Sequence, residues 1–137
     1  MKRKNMFLFF NVIVPLLFGL AIYLFCYNNT YINNGFKNIF GISPPHIYFD
    51  NAYFKFLTCW ACDILWAYSL TFALFLCFKD FKKPLLICGT ISFSLTIVIE
   101  LLQIEHIITG TFDFWDIILE IIAILFAIII IKNRIIK

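Results

Sequence analysis

Apolar residues dominate four segments of the chain, and polar residues collect between those segments. The segments cover about 6–27, 54–78, 84–104 and 114–131, and each is close to the roughly 20 residues that a helix needs to cross a bilayer. The pattern predicts an all-α membrane protein, a bundle of four transmembrane helices with short loops, formed by one domain over 1–137.

Composition supports the membrane assignment and removes several function classes. The 137 residues are 63% hydrophobic and 14% charged, and the mean hydropathy is +0.94, far above that of soluble domains. No long basic run of the kind that binds nucleic acid is present. The longest connector, about 28–53, mixes aromatic residues with turn signals, which suits a segment at the headgroup level.

The basic residues predict an orientation. Three lie near the N-terminus, three in the turn over 79–83 and three near the C-terminus, which makes nine on one side of the membrane. Only Lys37 and Lys55 fall on the other side. Because Lys and Arg collect in cytoplasmic loops, we expect both termini to face inward.

Acidic and amide side chains collect toward the outer ends of the segments, where they form a candidate ligand-binding site. Ionisable groups within a span are costly and usually face a bundle interior or a cavity. Clustered carboxylates in a low dielectric repel one another, so some stay protonated or a cation binds among them. The candidate residues are Asp63, Glu100, Gln103, Asp113, Asp116 and Glu120.

A structural interpretation of these groups stays open beside the functional one. Asp113 and Asp116 suit the N-terminus of the last helix through capping and the helix dipole. Glu100 and Gln103 could hydrogen bond between helices. Trp66 and Trp115 are candidates to line the site, although a tryptophan near the membrane surface is also typical of the aromatic belt.

Two other constellations carry weaker signals. Glu105 and His106 could contribute to a metal site, but a single loop histidine does not define one, and we predict no metal and no cofactor. Cys59 and Cys62 suggest a membrane thiol oxidoreductase as an alternative, although sulfurs three residues apart on a regular helix need local distortion to bond, and Cys is a common packing residue in spans.

The segment from Glu100 to Asp116 resembles the VanZ-like family of small bacterial membrane proteins. The resemblance rests on Glu100-Leu101-Leu102-Gln103 at the end of one span and Phe112-Asp113-Phe114-Trp115-Asp116 at the start of the next. It covers roughly the C-terminal half of the chain. Glu120 and Ala123 stand where the family usually has Asn and Gly, which makes the chain a divergent relative.

The resemblance implies a multi-pass protein of the bacterial cell membrane that belongs to the cell envelope. Its name-bearing member is associated with low-level resistance to the glycopeptide teicoplanin. The expected partners are membrane lipids and either a cell-wall precursor or a glycopeptide, and a non-catalytic role is favoured over an envelope enzyme. The sequence sets neither the ligand nor the oligomeric state.

Overall fold

A computed structural model describes residues 2–27, 30–108 and 112–136, and all the regular elements in these ranges are helices. The helices are α1 (Lys2–Cys26), α2 (Tyr31–Phe40), α3 (Ala52–Cys59), α4 (Ala61–Phe78), α5 (Pro84–Ile104), α6 (Phe114–Ile131) and a π-helical turn (Lys132–Ile136). By length and composition, α1, α4, α5 and α6 could each cross a membrane. The predicted all-helical architecture with four membrane-spanning candidates is confirmed.

Helix α4 is the central helix of the bundle, since it packs against the three other long helices, α1, α5 and α6. Its residues Ala67, Phe72 and Phe75 are almost completely buried. A cluster of apolar side chains fills the half of the bundle that lies toward the two termini. That core cluster consists of Leu8, Phe72, Phe75, Cys88, Ala127 and Ile131.

Two hydrogen bonds show that both termini and the turn between α4 and α5 lie at one end of the bundle. Lys4 donates from Nζ to the carbonyl oxygen of Ile135 at 2.6 Å. Lys79 donates to Asn5 Oδ1 at 3.3 Å. We call this the basic end. We call the opposite end, where α5 ends and α4 and α6 begin, the acidic end, because it carries most of the carboxyl groups. Lys137 and the loop residues 109–111, including Gly110 of the predicted turn, lie outside the described residues.

The single helix predicted over 54–78 is instead two helices. α3 begins after Asn51, whose Oδ1 accepts from the Phe54 N–H at 2.7 Å, and the chain leaves helical geometry at Trp60, with φ −126° and ψ −24°. The Tyr27 hydroxyl donates to the Thr58 carbonyl and ties α3 to the end of α1. The membrane-spanning candidate therefore begins at Ala61, and Asp63 lies in its first turn rather than the roughly 13 Å deep expected for a continuous helix.

The long connector contains a helix that the sequence pattern did not predict. Thr30 caps α2 through a hydrogen bond from the Asn33 N–H at 3.1 Å. Gly41 ends the helix in the left-handed conformation, with φ 72°, and its N–H bonds to the Lys37 carbonyl at 2.8 Å. Glycine adopts this conformation at no steric cost, so the turn signal at Gly41 marks the end of a helix.

A polar contact between the middle of α1 and the middle of α4 generates a stability prediction. The Tyr68 hydroxyl donates to Asn11 Oδ1 at 2.6 Å. Tyr68→Phe removes this bond with little change in volume, so we expect the free energy of unfolding in detergent to fall by about 1 kcal/mol. Tyr53→Phe is the control because Tyr53 is 88% exposed, and equal stability of the two variants would contradict the prediction.

Candidate functional site

Four carboxyl groups from three helices meet at the acidic end: Asp63 of α4, Glu100 of α5, and Asp116 and Glu120 of α6. Asp63 is a charged neighbour of each of the other three. Each of these three also has at least one further carboxyl group as a neighbour, and none has a basic charged neighbour among the described residues. We call these four side chains the carboxyl site.

The carboxyl site is largely shielded from solvent. Glu100 and Glu120 are each only 5% exposed, whereas Asp63 and Asp116 are half-buried. One oxygen each of Glu100, Asp116 and Glu120 is buried and makes no hydrogen bond to any described residue. Buried polar atoms nearly always have a partner, so these oxygens are acceptors available to a ligand, a proton or water.

The helix spacing of α5 explains why Glu100 faces the bundle interior. Every fourth residue, Cys88, Ser92, Thr96 and Glu100, is buried. Positions four apart share one face of a helix, so this stripe points between α4 and α6 along its whole length. Glu100 lies four residues before the end of α5, or about 6 Å along the axis.

The buried stripe of α5 also carries hydroxyl groups next to the carboxyl site, and the sequence reasoning missed them. Ser92 of α5 and Thr71 of α4 form a hydrogen bond between their hydroxyl oxygens at 3.1 Å. Thr96 lies beside the Glu120 carboxyl group, yet its Oγ1 is buried without a hydrogen-bond partner among the described residues. The four-residue spacing of Ser92, Thr96 and Glu100 was the sequence signal that could have predicted them.

The polar groups stop at the Thr71–Ser92 hydrogen bond. The next buried residues of these two helices toward the basic end are Phe72, Phe75 and Cys88, which belong to the apolar core cluster. Gln103 and Asp116, at the other end, are half-buried. The polar part of the bundle interior therefore lies toward the acidic end and does not continue to the basic end.

Asp113 and Gln103 flank the carboxyl site at the acidic end. Asp113 is the N-cap of α6, since its Oδ1 accepts from the Trp115 N–H at 3.0 Å, and this is the structural role considered for it. The Glu100 carboxyl group lies beside the backbone N–H of Asp113, which brings the two halves of the sequence motif into contact. Gln103 contributes a buried Oε1 with no hydrogen-bond partner among the described residues.

The two candidate tryptophans lie beside different cavities. Trp115 is 60% exposed and lines a cleft of about 300 Å³ with Phe56, Trp60 and Leu119. Trp66 lines a separate apolar pocket between α1 and α4 with Pro15 and Cys62 among others. Trp115 thus lies on the surface, directly before Asp116 of the carboxyl site.

The cysteines and the loop histidine form neither a disulfide nor a metal-binding cluster in the described ranges. All five cysteines are free thiols; Cys59 is exposed at the end of α3, while Cys62 is buried and directs its thiol to the Gly19 carbonyl at 3.9 Å. His106 and Glu105 are exposed. Within the part of the chain that the structure describes, no three His, Cys, Asp or Glu side chains are arranged to hold a metal ion.

The chain matches no protein-family model, no curated protein and no solved structure. The resemblance to the VanZ-like family accordingly stays a prediction, carried by the residues from Glu100 to Asp116.

Mutual repulsion within the carboxyl site predicts that neutralising Asp63 stabilises the protein. Asp63→Asn keeps the shape of the side chain and removes a charge that all three other carboxyls have as a neighbour. We expect the free energy of unfolding to rise by about 1 kcal/mol at neutral pH. The gain should grow as the pH rises, because more of the neighbouring carboxyls are then ionised.

Thermal unfolding of the detergent-purified protein at several pH values measures this effect. Asp80→Asn is the matched control because Asp80 is exposed at the basic end, far from the site. A lower stability of Asp63→Asn at every pH would mean that Asp63 supports the fold through hydrogen bonds and does not strain it through charge.

Proposed function

We propose that this chain is a VanZ-like, multi-pass protein of the bacterial cell membrane, whose carboxyl site binds an amine-bearing component of the envelope or an amine-bearing antibiotic. In this proposal it confers low-level tolerance to the glycopeptide teicoplanin without catalysing a reaction. One observation carries the proposal. The site gathers buried carboxyl oxygens without hydrogen-bond partners among the described residues and without a basic neighbour.

An ammonium group fits such a site by charge and by hydrogen bonding. It brings three N–H donors and no acceptor, so it can satisfy several carboxylate oxygens at once. It also supplies the positive charge that the site lacks. Hydrogen bonds between ionised partners are roughly twice as strong as neutral ones, and they gain further strength where water is scarce.

The outward direction of the site follows from the proposed orientation. With both termini inside, the basic end contacts the cytoplasm and the acidic end faces the cell wall. A binder of envelope components needs its site on that outer surface. The nine basic residues at one end against two elsewhere support this arrangement.

Reporter fusions test the orientation independently of any ligand. Green fluorescent protein fused after Arg134 should fluoresce, because that position is cytoplasmic in the proposed topology. Alkaline phosphatase fused after Lys55 should be active, because it is exported. A dark fluorescent protein after Arg134 together with an inactive phosphatase after Lys55 would reverse the orientation and place the carboxyl site inside the cell.

Susceptibility to teicoplanin tests the function. A sensitive Gram-positive host should express the wild type, Glu100→Gln and Asp116→Asn at matched membrane levels. We expect the wild type to raise the inhibitory concentration and each amide variant to lose that gain, because an amide keeps the shape but not the charge. Glu105→Gln should behave like the wild type, since Glu105 is exposed one turn beyond Glu100.

The outcomes of this experiment test two claims separately: that the protein confers tolerance, and that its carboxyl groups are needed for it. Equal tolerance in the wild type and both amide variants would make the carboxyls structural. Normal membrane insertion with no gain in tolerance for any variant would overturn the resistance proposal. Retention of tolerance after alkylation of Cys59 and Cys62 would also exclude a thiol oxidoreductase mechanism as its source.

A further inference from the structure

A groove between α5 and α6 opens on the outside of the bundle, away from the carboxyl site. Its volume is about 290 Å³. One wall belongs to α5 and the other to α6, and both are apolar except for Thr90. The lining residues are Leu85, Leu86, Gly89, Thr90, Phe93, Ile121, Ile124, Leu125 and Ile128.

Gly89 brings the two helices together at the floor of the groove. A Cβ atom at this position would lie 3.0 Å from Ile128 Cδ1, closer than side chains normally approach. Small residues at such contacts let membrane helices pack tightly. The larger side chains on either side, Leu86 and Phe93, are both exposed and form a ridge along the α5 side.

The groove runs along the two helices over matching lengths. Its α5 wall extends from Leu85 to Phe93 and its α6 wall from Ile128 back to Ile121. These ranges correspond to about 12 Å and about 10 Å along the helix axes. An elongated apolar groove that faces hydrocarbon fits the acyl chain of a lipid.

Basic residues flank the end of this groove at the basic end of the bundle. Lys82 and Lys83 are exposed and lie immediately before the α5 wall. Lys132 is exposed and follows Ile128 by four residues, so it continues the face of α6 that lines the groove. Asp80 is the only acidic residue in the turn or the terminal segments at this end.

The first turn of α5 adds hydrogen-bond donors at the same position. Pro84 is the first residue of the helix and no side chain caps it. The N–H groups of Leu85 and Leu86 belong to the first turn, where no intrahelical acceptor exists. These donors and the positive end of the helix dipole favour an anion.

We propose that this groove, together with Lys83, Lys132 and the start of α5, is a binding site for one anionic phospholipid. An acyl chain lies along the groove and the phosphate group lies between the two lysines. The site goes beyond the carboxyl site and its ligand, because it lies at the other end of the bundle and binds the opposite charge. It requires a lipid that combines an acyl chain with a net negative headgroup.

Native mass spectrometry of the full chain in detergent tests the proposal. The probes are phosphatidylglycerol and phosphatidylcholine with identical acyl chains, titrated separately. We expect the first to bind several-fold more tightly. Lys83→Gln and Lys132→Gln should each weaken its binding about fivefold and leave phosphatidylcholine unaffected.

Two further arms separate the acyl chain from the headgroup and test the location. Thr90→Trp fills the groove from its exposed side and should strongly reduce phosphatidylglycerol binding, while glycerol phosphate alone should not compete. The single variants Lys37→Gln and Lys55→Gln each remove one positive charge at the acidic end and should bind like the wild type. The proposal would be overturned by any of three results. These are equal affinity for the two lipids, an equal loss of phosphatidylglycerol affinity in the basic-end and acidic-end lysine variants, and unchanged phosphatidylglycerol binding by Thr90→Trp.

Discussion

The burial of Glu100 and Glu120 in an apolar helix bundle, without a basic partner, is the constraint on which the rest of this structure depends. A carboxylate removed from water loses several kcal/mol of hydration free energy, and an ion pair usually compensates for part of that loss. Here the charged neighbours are other carboxyls, which add to the loss when they are ionised. The site therefore favours states that add positive charge, whether that charge is a proton or a bound cation.

The bundle can hold such a site because its two halves have different compositions. Toward the basic end, Phe72, Phe75 and Ile131 fill the interior with apolar side chains. Toward the acidic end, small side chains such as Ala67, Thr96 and Ala123 replace them. Packing and polarity are thus separated along the axis, so that the apolar half can stabilise the fold while the polar half carries groups that weaken it. This separation is typical of functional sites, where stability is lowered locally.

The sequence was sufficient to predict the four long helices and the residues of the carboxyl site, because strong signals define both. Long apolar runs predict spanning helices, and acidic residues inside such runs are rare. The break at Trp60 could not be predicted, since no Gly or Pro marks it. It depends on tertiary contacts, among them the hydrogen bond from Tyr27 to Thr58. The hydroxyl stripe along α5 was overlooked for a different reason: Ser and Thr are ordinary residues in spans, and only the packing of α4 and α6 against that face gives them a shared environment.

The break at Trp60 also places Asp63 near the end of a helix. Because α4 begins at Ala61, Asp63 lies in the first turn of α4, where it acts on Glu100, Asp116 and Glu120 together. The first turn of a helix favours a carboxylate through the helix dipole and its free N–H groups. Asp116 has the same position in the first turn of α6. The backbone thus supports the negative charges of both Asp63 and Asp116, and a cation that approaches from the acidic end would meet these two carboxyls before Glu120.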